Sequence, residues 1–211
     1  MLYYKVRKVV VVMSMRDKLE SWEGQMRSYS LPRWEQLPEL DLYMDQVVLL
    51  LGRYLNFPTR AEDEEKIITP SIVNNYVRMK IMPAPVKKKY SRVHIAYLIV
   101  ICTLKQGLSI SSIQKMIPMD PKEEEIAGIY NGFVDCYNSV VSLFSKYTSM
   151  MLTENSSDEA ISTIAAVVTN LSKSLTEHLL SDIKLPQEEK KEEKAEKKAE
   201  KKAAKKAEKK K

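Results

Sequence analysis

Apolar and polar positions along the chain fall into blocks, and each block predicts an element. Within WEQLPELDLYMDQVVLLLGRYLNF (34–57), Leu42, Val47 or Val48, Leu51 and Leu55 share one stripe, which predicts a helix entered after Pro38. FPTRAEDEEK then reads as a polar connector, broken at Pro58 and carrying a cluster of acids. In ITPSIVNNYVRMKIMP, Thr69 is a good N-cap and Pro70 takes the first helical position, where its missing N–H costs nothing. Ile72, Val73 and Tyr76 face one way on that short helix, Ser71, Asn74, Asn75 and Arg78 face the other, and Pro83 and Pro85 are expected to end it. Ser91 should cap RVHIAYLIVICTLKQ, which Gly107 should stop. That segment is apolar nearly all round (Ile95, Leu98, Ile99, Ile101, Cys102, Leu104), so it is expected to be the central core helix of a small domain. Ser109 opens one more short helix, ISSIQKMI, closed by Pro118.

The C-terminal half has a longer repeat. Asp120 and Pro121 read as N-cap and first helical residue, with Glu123–Glu125 in the favourable first turn. Ile126, Tyr130, Phe133, Tyr137, Val140, Phe144, Tyr147 and Met151 then recur at spacings of four and three, an aromatic-rich seam. After TENSSD, Ile161, Ile164, Val168, Leu171, Leu175 and Leu179 repeat the pattern, so a helical hairpin is predicted. Its stripes should be buried on each other, on the preceding domain and across a homodimer; an effector cavity lined by the tyrosines and Phe133 is the other reading. The tail, KKEEKAEKKAEKKAAKKAEKKK, has helical propensity but no apolar face, and should be frayed or disordered.

Length and residue usage narrow the class. The chain's 211 residues suffice for one medium or two small domains with a proper core. Cys102 and Cys136 are far apart and belong to no metal-ligand spacing, which fits a reducing cytoplasm. Apolar runs such as Val47–Leu51 and Ala96–Cys102 are too short to cross a bilayer. The opening MLYYKVRKVVVVM lacks a signal peptide's apolar core; it reads as an extension ahead of a start at Met13 or Met15, or as an edge strand. There is no Gly-rich phosphate loop, nucleophile elbow or paired metal ligand, so neither enzyme activity nor a cofactor is expected. His94 is expected to cap or pack, and His178 and Cys136 stand alone.

Charge changes the picture most. The chain is +6 overall, but residues 66–119 hold nine basic residues and not one acid, while 1–65 stand at −2 and 120–187 at −6. The tail from 188 carries 12 lysines and 7 glutamates, for +5. An acid-free basic segment between two acidic ones is the footprint of a surface that meets a polyanion. Asn can contact adenine bidentately and Arg guanine, so Ser71, Asn74, Asn75 and Arg78 are candidate base readers. Lys80, Lys87, Lys88, Lys89 and Arg92 are candidate phosphate contacts, which orient without reading sequence. Tyr76 and Tyr90 are expected to pack.

The order of polar helix, Pro-bounded basic loop, buried helix, glycine and short helix resembles the winged-helix domain of mercury-resistance (MerR-type) regulators. Tyr76, Pro83, Lys88, Tyr90, Gly107, Ser109 and Ile113 take that family's places in order, with Lys88 where a wing arginine is usual. LYMDQV, ITPSIVNNYVRMKIMPAPVKKKYSRVHI and LKQGLSISSI resemble, more narrowly, the bacterial family catalogued as domain of unknown function 1836 (DUF1836), over roughly residues 34–117. That family is regarded as a DNA-binding relative of the mercury-regulator fold. Two departures stand out: residues 56–67 replace a tight turn, and Asn74 and Asn75 stand where arginine and tyrosine are common.

The expected fold is therefore mainly α. A MerR-like winged helix-turn-helix (34–118) follows an N-terminal extension (1–33) and precedes a helical hairpin for dimerisation or effector binding (119–185) and a basic tail (186–211). The expected function is a cytoplasmic, nucleoid-associated, dimeric transcription regulator of double-stranded DNA, repressing rather than activating, with an effector not specified by the sequence and no membrane partner. A winged-helix module that docks on an acidic protein, and a nucleic-acid binder without sequence preference, are the alternatives.

Overall fold

A helix that is apolar on every side must be surrounded, and the remaining elements are arranged to do so. The computed structural model describes residues 13–56, 68–118, 121–151 and 157–185. In chain order these form α1 (Met15–Ser28), a 3-10 turn (Trp34–Gln36), α2 (Met44–Tyr54), α3 (Pro70–Arg78), α4 (Arg92–Leu104), α5 (Ile110–Met116), α6 (Glu123–Met151) and α7 (Asp158–Leu179). The fold is mainly helical, and no β-strand occurs among the described residues. The valine-rich start, the 57–66 connector, Asp120 and the lysine tail lie outside them.

On α4, Ile95, Leu98, Ile99 and Ile101 are wholly buried. They meet Val47, Leu51 and Leu55 of the α2 region, Val73 and Tyr76 of α3, Ile113 of α5, and Tyr130 and Val134 of α6 in one core. Each such side chain contributes about 1.5–3 kcal/mol by leaving water. The 29–37 segment is stitched between α2 and α6 by phenols: Tyr29 donates to the Tyr54 carbonyl (2.6 Å) and Tyr130 to that of Pro32 (2.7 Å). Arg33 pairs with Asp135 at 2.6 Å, and the Trp34 amide donates to Asn131 Oδ1 at 2.9 Å. The core thus runs without a break from α2 into the first half of α6.

Several elements differ from expectation. The helix expected after Pro38 starts only at Met44, because Leu42 is engaged in backbone pairing with Tyr90: Leu42 N–H donates to the Tyr90 carbonyl (2.9 Å) and Tyr90 N–H to that of Leu42 (2.8 Å). Its buried stripe is as predicted at Val47, Leu51 and Leu55. On α3, Thr69 Oγ1 accepts from the Ile72 amide as expected (3.3 Å), but the prolines do not end the helix. Lys80 does so, in the left-handed region at φ 57°. Its N–H donates to the Val77 carbonyl (3.0 Å) and Ile81 N–H to that of Tyr76 (3.2 Å), the paired bonds of a Schellman cap. Gly107 does not stop α4 through glycine's special freedom either, since no glycine has positive φ; α4 ends at Leu104, whose carbonyl accepts from Gly107 and Leu108. Ser109 caps α5 as predicted, its Oγ accepting from the Ser112 amide at 3.1 Å.

The C-terminal half departs furthest. α6 starts at Glu123, so Pro121 precedes the helix rather than opening it. Its buried positions are Tyr130, Val134, Ser145 and Thr148, whereas Val140 of the predicted seam is 54% exposed. Tyr130 and Thr148 lie about five turns apart at 3.6 residues per turn, so a straight helix brings them to one face where a strict seven-residue seam would drift off it. Among the described residues α6 and α7 both pack on α1, for which no element was expected. α1 is entered through a reciprocal cap, the Asp17 amide donating to Ser14 Oγ (3.1 Å) and the Ser14 amide to Asp17 Oδ2 (3.2 Å). Trp22 meets Phe144 edge-on at 5.8 Å. Beside them Ser145 Oγ donates to the buried Glu23 carboxylate (2.6 Å) and accepts from Arg27 Nε (2.7 Å). Of the α7 stripe only Ile161 is buried; Leu171, Leu175 and Leu179 are 65%, 59% and 68% exposed.

Candidate nucleic-acid interface

The basic loop is a tight reversal with defined geometry. Val86 and Lys89 pair antiparallel, Lys89 N–H donating to the Val86 carbonyl (2.9 Å) and Val86 N–H to that of Lys89 (3.2 Å). Between them Lys87 and Lys88 both have positive φ, 49° and 62°. Two successive left-handed residues mark the hairpin turn that Asn-Gly ordinarily occupies, because a Cβ crowds the following carbonyl there. Here both positions carry lysine, and both side chains are exposed.

The base of this hairpin is fastened from three sides. Tyr90, 3% exposed, pairs through its backbone with Leu42 and meets the His94 ring edge-on at 5.6 Å. His94 Nδ1 accepts from the Ser91 amide (3.0 Å) and lies 2.8 Å from Ser91 Oγ, so the ring proton belongs on Nε2, which faces the Ala84 carbonyl at 3.2 Å. His94 therefore caps α4 and ties it to the hairpin's incoming arm. Burial holds its pKa below 6.5; the Ala84 bond and Asp41 oppose that shift without overcoming it. Tyr76 packs in the core, and burial pushes its phenol up to about 12. Cys102 is likewise a packing residue, its thiol pushed up to about 12 by burial.

The polar face of α3 lines a broad cleft. Ser71, Asn74, Asn75 and Arg78 all border it, and Lys105 and Ile110 face them from the turn after α4 and the start of α5. Arg78 donates to Asn75 Oδ1 at 2.7 Å, and Asn75 Nδ2 approaches Met79 Sδ at 3.5 Å, so the two side chains are held together. Gln114 Nε2 donates to the Met79 carbonyl (2.9 Å), which fixes the end of α3 against α5. Lys80 is exposed at the helix's C-terminal cap.

The predicted residues thus fall into three groups. Ser71, Asn74, Asn75 and Arg78 come together on one concave face, with Lys80 at its end. Lys87 and Lys88 project from the turn, while Lys89 lies over the Tyr43 ring, its Nζ 5.6 Å from the centroid. Arg92 is engaged elsewhere: half-buried, 5.4 Å from the Trp34 centroid and 3.1 Å from Glu39 Oε1, it braces the 34–39 segment against α4. Lys105 was missed as a candidate, although it belongs to the same acid-free segment; its position opposite α3 comes from a helix packing angle that periodicity does not give. The cleft and the turn together present cations and amides with no acid from the 66–119 segment beside them, a surface suited to a polyanion.

The model of a domain of unknown function, DUF1836, matches residues 32–140, wider than 34–117 and reaching into α6. No curated protein and no solved structure matches the chain. No helix among the described residues is long and apolar enough to cross a membrane.

Proposed function

The chain belongs to the DUF1836 family, and we propose that it is a sequence-specific, double-stranded-DNA-binding transcription regulator that works as a homodimer. In this reading α2, α3, the hairpin at 83–91, α4 and α5 are a winged helix-turn-helix. The exposed face of α3 enters the major groove, where Asn74, Asn75 and Arg78 meet base edges, while Lys80, Lys87, Lys88 and Lys105 meet phosphates.

The observation that carries the proposal is the turn at Lys87-Lys88. A left-handed residue other than glycine costs about 1 kcal/mol or more, and two in succession persist only when something else holds them there. Tyr90, His94 and Leu42 supply that hold. What the conformation achieves is two adjacent ammonium groups at the tip of a fastened projection. The turn follows α3 by about ten residues within one acid-free segment, and the described lining of the α3 cleft holds amides and a guanidinium with no acid, so the same polyanion can serve both. The exposed apolar stripe of α7 supports the homodimer, since two copies would bury Leu171, Leu175 and Leu179 against each other and space two reading helices for two half-sites.

The test is parallel selection from a pool of random duplexes with the wild-type chain and Arg78→Ala. The wild type should enrich a defined sequence, and the variant should lose preference at one position of each half-site, since a bidentate Arg–guanine contact is worth about 1–3 kcal/mol of discrimination. Equal, featureless recovery by both would mean non-specific binding. No recovery by a folded wild type would mean that the basic surface docks on protein instead.

A further inference from the structure

Where α4, the turn after α5 and the start of α6 meet, the packing leaves a pocket of about 160 Å3. Ala96, Tyr97 and Val100 form one wall and Tyr130 and Phe133 the opposite one, with Ile117 and Pro118 closing the corner. None of the described side chains lining it is charged. The two phenols have their O–H groups engaged: Tyr97 donates to the Pro118 carbonyl (3.2 Å) and Tyr130 to that of Pro32 (2.7 Å).

The pocket is open to solvent on one side, so water occupies it when no ligand does, and an apolar molecule that displaces that water gains the free energy of burying its own surface. Its volume suits a single aromatic ring, the size of guest that apolar cavities of about 150 Å3 accept. A charged molecule would lose part of its hydration here and find no charged partner among the described side chains of the lining. We infer that this pocket is a binding site for a small, neutral, apolar molecule of about one aromatic ring, held between the walls of α4 and α6. Ligand binding here is independent of the DNA reading, and its readout is too.

The test uses the full chain with benzene and toluene as probes and benzoate and benzylammonium as charged counterparts, followed by ligand-observed NMR and thermal unfolding. Benzene and toluene should bind saturably and raise the Tm by about 3 °C at ten times their Kd. The charged analogues should bind at least about ten-fold more weakly. Val100→Phe places a ring in the pocket and should abolish binding. Ile129→Trp, at the partly exposed rim, blocks the pocket without touching the core and should do the same if Val100→Phe fails to fold. The inference is overturned if the wild type shows no saturable binding, if benzoate binds as well as benzene, or if the blocked variants retain affinity.

Discussion

Replacing Lys87 with Asn and Lys88 with Gly gives the hairpin turn the residues its backbone prefers, and should make the protein more stable and a poorer binder. Both positions are left-handed, at φ 49° and 62°. Relief of the Cβ clash is worth about 1 kcal/mol at each, and the greater freedom that glycine gives the unfolded chain returns about half to one of these. The net gain is about 1 kcal/mol, or roughly 2–4 °C in Tm for a chain of this length. The same change removes two exposed charges. If both contact phosphate, the slope of log K against log salt should become shallower by about 2, and affinity at 0.15 M salt should fall roughly 30-fold. Differential scanning calorimetry and fluorescence anisotropy across a salt series read the two effects. Lys87→Ala with Lys88→Ala separates charge from shape: it should weaken DNA binding equally, with no gain in stability. If Asn-Gly stabilises the chain but leaves affinity and slope unchanged, the lysines are not phosphate contacts. If it destabilises, the strain reasoning itself is wrong.

Three further outcomes follow from the structure. His94 is neutral when folded and its pKa is held below 6.5, so the unfolded chain takes up the proton first; stability is complete above about pH 6.5 and declines as pH falls below it, and urea midpoints between pH 7.5 and 5.5 should show a decline that His94→Ala abolishes. If the chain forms the proposed homodimer, Leu171→Asp with Leu175→Asp should convert it to monomer in sedimentation with helicity retained, because both side chains are exposed on α7; a dimer left unchanged by the pair would place the interface elsewhere. Glu23→Ala leaves Ser145 and Arg27 without their shared carboxylate at a buried site and should cost about 1–3 kcal/mol in urea unfolding.

What could be read in advance was what local chemistry decides. Thr69 with Pro70, and Ser109, place the starts of α3 and α5 because a cap bonds within its own first turn. The uniform apolarity of 93–104 likewise demands burial whatever the partners, and α4 is the centre of the core. Misses occurred where a distant residue decides. Leu42 lies on the α2 stripe but is claimed by Tyr90, 48 positions away, and its backbone pairing keeps the helix from starting earlier. Lys80, Lys87 and Lys88 give no turn signal of their own, since lysine is not a residue that favours positive φ. α1 offered a readable signal, Ser14 with Asp17 three residues on, yet too few apolar positions to define a face. Spacing defined an apolar stripe on α7 but could not say that α1 would pack on this helix and that Leu171, Leu175 and Leu179 would face solvent. For the candidate interface, the α3 face was legible because a helix keeps i, i+3, i+4 and i+7 together, and all four predicted residues do border one cleft. Arg92 is a candidate phosphate contact by sequence, and its engagement with Trp34 and Glu39 was not legible because only the fold brings those residues to it.

In the proposed function the acid-free face of α3 and the lysine turn read DNA as a pair of half-sites. Its most direct test is recovery of genomic fragments by the full chain at physiological salt, with a polyanion competitor present to suppress attraction to the lysine tail. The account predicts a small set of enriched fragments sharing an inverted repeat whose half-sites are spaced by about one or two helical turns. A folded chain that recovers fragments in proportion to their length, with no shared sequence, would contradict it.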